Sequence, residues 1–129
     1  MSTLFASGLG IALLSGCAAE DGSAPQVVAE RFAAAMATRD GSRACDLLAP
    51  ETRSEVAQSA GADCATAILE EGVSLPDTAE SSVTFGTMSQ VTFGGEAVFL
   101  SEFPSGWRVV AAGCSPVPGR PYDCQVTGG

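Results

Sequence analysis

The chain has no histidine and no lysine among its 129 residues. Without histidine there is no Ser-His-Asp or Cys-His dyad and no imidazole-ligated metal site. Without lysine there is no Schiff-base chemistry and no phosphate-loop lysine. Aromatic residues are scarce at 6%, with one tryptophan and one tyrosine. Positive charge is scarce too: six arginines stand against 15 acids, for a net charge of −9. Such a chain has no electrostatic footprint for a phosphate backbone, so nucleic acid is not an expected partner. No Asp-x-Asp-x-Asp-Gly loop is present, and no metal or other cofactor is expected. Hydrophobic residues make up 46% of the chain, enough to bury the core of one domain.

Residues Leu4 to Leu14 form an apolar run of small and aliphatic side chains. Its length falls short of the roughly 20 residues a membrane-spanning helix needs, and suits the apolar core of a secretory signal. No Lys or Arg precedes it, so the N-terminal amine alone supplies positive charge. The run leads into Leu14-Ser15-Gly16-Cys17, which resembles the bacterial lipobox. That resemblance implies a signal peptide over 1–16, cleavage before Cys17, and a diacylglyceryl group on the Cys17 thiol. It implies a covalent lipid anchor on the extracytoplasmic face of the cell membrane. An acidic body gains nothing from an anionic membrane surface, so acyl chains would have to hold it there. Residues 17–23 would be the lipidated cysteine and a short tether, and 24–129 the folded domain. The six tether residues from Ala18 have a random-coil reach of roughly 13 Å.

Four cysteines remain: Cys45, Cys64, Cys114 and Cys124. An even count in an oxidising compartment reads as two disulfides. Three pairings are possible. We favour Cys45–Cys64, tying neighbouring helices, and Cys114–Cys124, closing a C-terminal loop. A zinc site of four thiolates is the competing arrangement, but no Cys-x-x-Cys pair exists.

Ser23-Ala24-Pro25-Gln26 predicts a helix start, with Ser23 as cap and Gln26 reaching back. Val28, Phe32 and Met36 then recur at intervals of four, and Asp40-Gly41 is expected to end the helix. Shorter helices are expected over 42–48, 51–59 and 63–71. Beyond Pro76 the pattern changes to alternation. Val83, Phe85 and Thr87 predict a strand; Val91-Thr92-Phe93 leads into a Gly94-Gly95 hairpin turn. Strands over 96–102 and 107–114 follow, joined by a four-residue loop that sets Leu100 opposite Val109 and Phe99 opposite Val110. Both faces of this hairpin are apolar at its centre, so both need cover. Arg108 would lie opposite Ser101 as a solvated edge charge. The tail from Cys114 to Cys124 reads as a rigid Pro-rich loop, with Tyr122 packing its ring on the sheet end.

A long helix, short helices, then an antiparallel sheet resembles the nuclear transport factor 2-like (cystatin-like) α+β fold. Phe32, Asp40-Gly41 and Cys45-Asp46-Leu47-Leu48-Ala49-Pro50 carry the front of the resemblance. Gly106-Trp107-Arg108-Val109-Val110-Ala111-Ala112-Gly113-Cys114 and Arg120-Pro121-Tyr122-Asp123-Cys124 carry the rest. The pattern is similar to a family of small exported lipoproteins of high-GC Gram-positive bacteria. The resemblance implies N-terminal helices packed on a curved antiparallel sheet, a cone, and an envelope location. It implies no activity.

Enzymes of this cone place an Asp base and Tyr or Asp donors inside it. Here the candidate acids are Asp46, Asp63 and Glu96. Asp46 reads as a solvated or capping carboxylate, Glu70-Glu71 as a helix end, and Asp77 as a turn residue. No carboxylate pair has a spacing that argues for shared acid–base work, so no catalytic residue is assigned. The expected function is a non-catalytic interaction or accessory module of the cell envelope, with an envelope protein or a second copy as partner. The alternative is a small-molecule-binding cone lined by Phe32, Met36, Phe85, Phe99, Val110 and Arg108; a more remote one is an isomerase- or hydrolase-type enzyme of the same fold.

Overall fold

The computed structural model describes residues 24–128. The expected signal segment 1–16, Cys17, the tether 17–23 and the Ser23 cap lie outside the described residues, as does Gly129. Four helices come first: α1 (Pro25–Ala37), α2 (Gly41–Asp46), α3 (Pro50–Ala60) and α4 (Cys64–Glu70). Five strands follow: β1 (Ser81–Phe85), β2 (Met88–Phe93), β3 (Glu96–Phe103), β4 (Gly106–Val117) and β5 (Arg120–Thr127). They form one antiparallel meander in the order β1-β2-β3-β4-β5. The chain is α+β, as expected. No helix among the described residues is long and apolar enough to cross a membrane.

The buried face of α1 is the expected stripe of Val28, Phe32 and Met36 with Ala29, Ala33 and Ala35. Pro25 starts the helix, where its missing N–H costs no bond. Gln26 does not reach back; its amide donates to Glu30 Oε1 at 2.8 Å. The helix ends at Ala37, three residues before Asp40. Arg39 sits at φ +56, and the Asp40 N–H returns to the Ala35 carbonyl at 2.8 Å. Asp40 and Gly41 instead open α2, with the Asp40 carboxylate accepting the Arg43 N–H at 3.1 Å. Gly41 has a packing role that local sequence does not reveal. It is buried, and a Cβ added there would overlap the Ala65 carbonyl of α4.

Helices α1 and α3 lie against the sheet, while α2 and α4 pack chiefly on helices. Both expected disulfides are present. Cys45–Cys64 joins α2 to α4, and Cys114–Cys124 joins β4 to β5. The first closes a loop of 19 residues' separation. Replacing both cysteines by alanine is expected to cost about 3 kcal/mol in the chain-entropy picture. Urea unfolding of the Cys45→Ala/Cys64→Ala protein checks this. A loss below about 1 kcal/mol would mean that the α2–α4 contact holds the loop without the bond.

The core is one cluster in which Phe32, Ile68, Val91, Phe93, Val98, Leu100, Val109 and Val126 are at most 1% exposed. Its strand residues come from the helix-facing side of the sheet. Gly94 takes φ +57 in the expected two-residue turn between β2 and β3. The β3–β4 connection is tighter than expected: Phe103 pairs with Gly106, so only Pro104 and Ser105 turn the chain. Leu100 does face Val109, and Ser101 faces Arg108. Phe99, however, faces Ala111 rather than Val110. A bulge in β4 inserts one residue there, because two residues of one strand then oppose one of the other.

The tail from Cys114 to Cys124 is a hairpin rather than a rigid loop, and Val117 pairs with Arg120 across Pro118-Gly119. Prolines are tolerated because each sits where no ladder bond is needed. Pro116 lies past the Glu96 start of β3, and Pro121 lies on the edge strand beside a register shift. Where β5 stops, residues Leu47–Ala49 take its place beside β4. The Val109 N–H donates to the Leu47 carbonyl, and the Ala49 N–H to the Val109 carbonyl, each at 2.8 Å.

Candidate functional site

Strand geometry sends alternate side chains to opposite faces. In β2 and β3, Ser89, Val91, Phe93, Val98 and Leu100 face the helices and are buried. The pairs Val83–Gln90, Phe85–Met88, Gln90–Phe99 and Met88–Ser101 therefore share the other face. No described element covers it over β1 and β2. Phe85 is 70% exposed, Val83 48%, Met88 44% and Tyr122 39%. Among the described residues, four of the five exposed large hydrophobic side chains thus lie on one open face of the sheet; Val27 is the other. On this face β1, β2 and β3 carry no charged side chain, in a chain of net charge −9.

Strand β1 shows the division most plainly. Its open-face side chains include Val83 and Phe85, while its other face has Ser82 and Thr84. Thr84 Oγ1 meets Ser89 Oγ at 3.1 Å, and that hydroxyl donates to the Val83 carbonyl at 3.2 Å. Tyr122 reaches from β5 across β4 to the same face. Its ring meets Phe99 edge-on, with centroids 5.2 Å apart and planes at 73°. Its hydroxyl accepts a hydrogen bond from Gln90 Nε2 at 3.1 Å. The β4 residue paired with Phe99 is the small Ala111.

Six residues were expected to line one cavity, and the structure does not bring them together. Phe32 fills the core. Met36 borders a cavity of about 350 Å3 with Leu69, Val73 and Leu75. Phe85 and Phe99 lie on the open face. Val110 lines a cavity of about 580 Å3 with Pro50, Thr52, Phe103, Ala111 and Thr127. Thr52 Oγ1 donates to the Val110 carbonyl at 2.9 Å, fixing α3 beside β4. Arg108 lies in a neighbouring groove with Asp46, Leu48 and Arg53. It is not a solvated edge charge: Arg108 Nη1 donates to the Asp46 carbonyl at 2.8 Å and is half-buried.

The candidate acids have structural places. Asp63 caps α4, accepting the Thr66 N–H at 3.2 Å and its hydroxyl at 3.0 Å. Asp46 is exposed, 3.6 Å from Arg53, in a surface pair that contributes little. Glu96 is half-buried opposite Phe93 at the β2–β3 turn. No hydrogen bond joins any two of these three carboxylates among the described residues. Nor is there, among those residues, a group of three or more acids or cysteines able to hold a metal ion.

Comparison of the chain with protein-family models, with curated proteins and with solved structures finds no match. What bears on function is therefore the surface itself. The open face offers uncharged, apolar contact without a converging set of acids, bases or nucleophiles. Such a face can bury against a partner.

Proposed function

We propose that the chain is a lipid-anchored extracytoplasmic protein whose domain is a non-catalytic interaction module of the cell envelope. The open face of the sheet carries this reading, since contiguous exposed apolar surface on a small domain marks contact with another molecule. The Leu14-Ser15-Gly16-Cys17 motif supports the anchor at Cys17. Two disulfides suit an oxidising compartment. The order of elements, and the bulges that bend β4, support a nuclear transport factor 2-like cone.

The test is the intact native mass of the protein extracted from its own membranes in detergent. The expected polypeptide begins at Cys17, carries acyl chains, lacks four hydrogens to two disulfides, and remains associated with a second polypeptide. The doubly substituted Phe85→Ser/Met88→Ser protein is expected to lose that association. Its stability should stay within about 0.5 kcal/mol, because both side chains are exposed. An unprocessed, unacylated monomer with nothing bound would overturn the proposal.

A second reading rests on the cavity of about 580 Å3 beside α3. Its size lies within the range of small-molecule sites, and its walls are mostly apolar. A bound organic molecule in the same mass measurement, lost in Val110→Trp and retained in Phe85→Ser/Met88→Ser, would favour it.

A further inference from the structure

The sheet has two edges, and they differ in chemistry. The β5 edge has Arg120, Pro121 and Asp123, charges and a proline of the kind that keep edge strands from pairing. The β1 edge, Ser81-Ser82-Val83-Thr84-Phe85, has neither charge nor proline, and all five residues are exposed. Its free backbone groups can be assigned. Phe85 and Met88 close a two-residue turn at Gly86-Thr87, with Gly86 at φ +59, so they form a hydrogen-bonded pair. Alternation makes Val83–Gln90 and Ser81–Thr92 hydrogen-bonded pairs as well. The N–H and C=O groups of Ser82 and Thr84 therefore point away from β2, into the open edge.

We infer that this edge pairs with the β1 edge of a second copy, antiparallel about a two-fold axis through Val83. The inference rests on the reading of the domain as an interaction module and places a contact at the edge of the sheet beside the open face. The register centred on Val83 pairs the outward groups of both Ser82 and Thr84 within β1 itself. Ser82 meets the partner's Thr84 and Thr84 meets the partner's Ser82, each as a hydrogen-bonded pair, for four backbone bonds in all. Val83 then faces the partner's Val83 as the close, non-hydrogen-bonded pair, and Phe85 lies beside the partner's Ser81 on the open face. Hydroxyl side chains meet hydroxyl side chains on the other face.

Charge limits where a second copy of this chain can pair. Two bodies at −9 repel, so their contact must be free of acids, and β1 is. One five-residue pairing sits at the low end of interface sizes, below about 1,200 Å2. The dimer is accordingly weak in solution. Anchoring both copies in one membrane strengthens it by raising their effective concentration.

Cysteine cross-linking of the full chain in its own membranes, read out after detergent extraction, tests the register. The Cα atoms of the two Val83 residues would lie about 4.5 Å apart, within disulfide reach. Those of the two Phe85 residues would lie about 13 Å apart, at four residues' offset. Val83→Cys is expected to give covalent dimer under mild oxidation at least tenfold faster than Phe85→Cys. Ser82→Pro removes an edge N–H that the β1–β2 ladder does not use. It is expected to weaken native dimerisation at least tenfold without changing the melting temperature. Equal cross-linking at both positions, or a dimer untouched by Ser82→Pro, would overturn the inference and point to contact through the open face. A Val83→Cys adduct with a foreign polypeptide would also overturn it, leaving the interaction reading in place. A wild-type monomer with nothing bound would overturn both.

Discussion

Phe32→Ala is expected to destabilise the domain by about 4 kcal/mol, the cost of emptying a fully buried aromatic site. Phe32 is 0% exposed at the middle of α1, in the cluster with Val91, Leu100 and Val109. Alanine would lose the transfer energy of the ring and leave a void that α1, held on the sheet, only partly closes. Native domains are stable by about 5–15 kcal/mol, so the variant would unfold at much lower urea. Equilibrium urea unfolding with an unchanged slope would report the loss as a shift of midpoint. The measurement also bears on function. Loss of less than about 1 kcal/mol would mean that Phe32 borders a space rather than filling one, and would revive the binding cone.

Gly41→Ala is expected to cost about 3 kcal/mol or more, the upper range for overpacking. The added methyl group would overlap the Ala65 carbonyl, which is backbone and has no rotamer to change. The Cys45–Cys64 bond holds the same two helices and limits how far they can separate. Gly95→Ala is the control. A Cβ there meets nothing within 4 Å, and stability should change by less than about 0.5 kcal/mol. If the two variants unfold at the same urea concentration, the close α2–α4 approach is not what Gly41 provides.

The expectations that held were those written in periodicity. Intervals of four put Val28, Phe32 and Met36 on one face of α1, and alternation located most of β1, β3 and β4, although Thr87, expected in the first strand, lies in the β1–β2 turn. The pairing of Leu100 with Val109 followed from centring the hairpin on the Phe103–Gly106 loop. Those that failed had a non-local cause. Gly41 was read as a helix terminator because glycine breaks helices, whereas a distant helix packs against it. The prolines of the tail were read as a loop because proline removes a ladder donor. Sheet topology placed them where that donor is not needed. The bulge that offsets Phe99 from Val110 leaves no mark in a run as uniform as Val-Val-Ala-Ala.

The site divides the same way. That both faces of the β3–β4 hairpin are apolar was legible, because each strand of it lacks a polar alternation at its centre. The reach of the open face was not. Phe99 gains Tyr122 from β5, two strands away, and Val83, Phe85 and Met88 stay uncovered because the helices bury only the other side. The candidate cavity residues share apolar chemistry, and nothing in a sequence assigns apolar residues to one wall rather than another.

By itself the sequence determined the charge, the absence of histidine and lysine chemistry, the lipobox-like segment at Cys17, and the type of most elements. These depend on composition or on contacts within a few residues along the chain. Tertiary structure realised the favoured one of the three possible cysteine connectivities, and alone decided which face of the sheet the helices take and which edge is left unguarded. Each of those choices joins residues far apart in the chain, where packing and hydrogen-bond satisfaction over the whole domain select the neighbour.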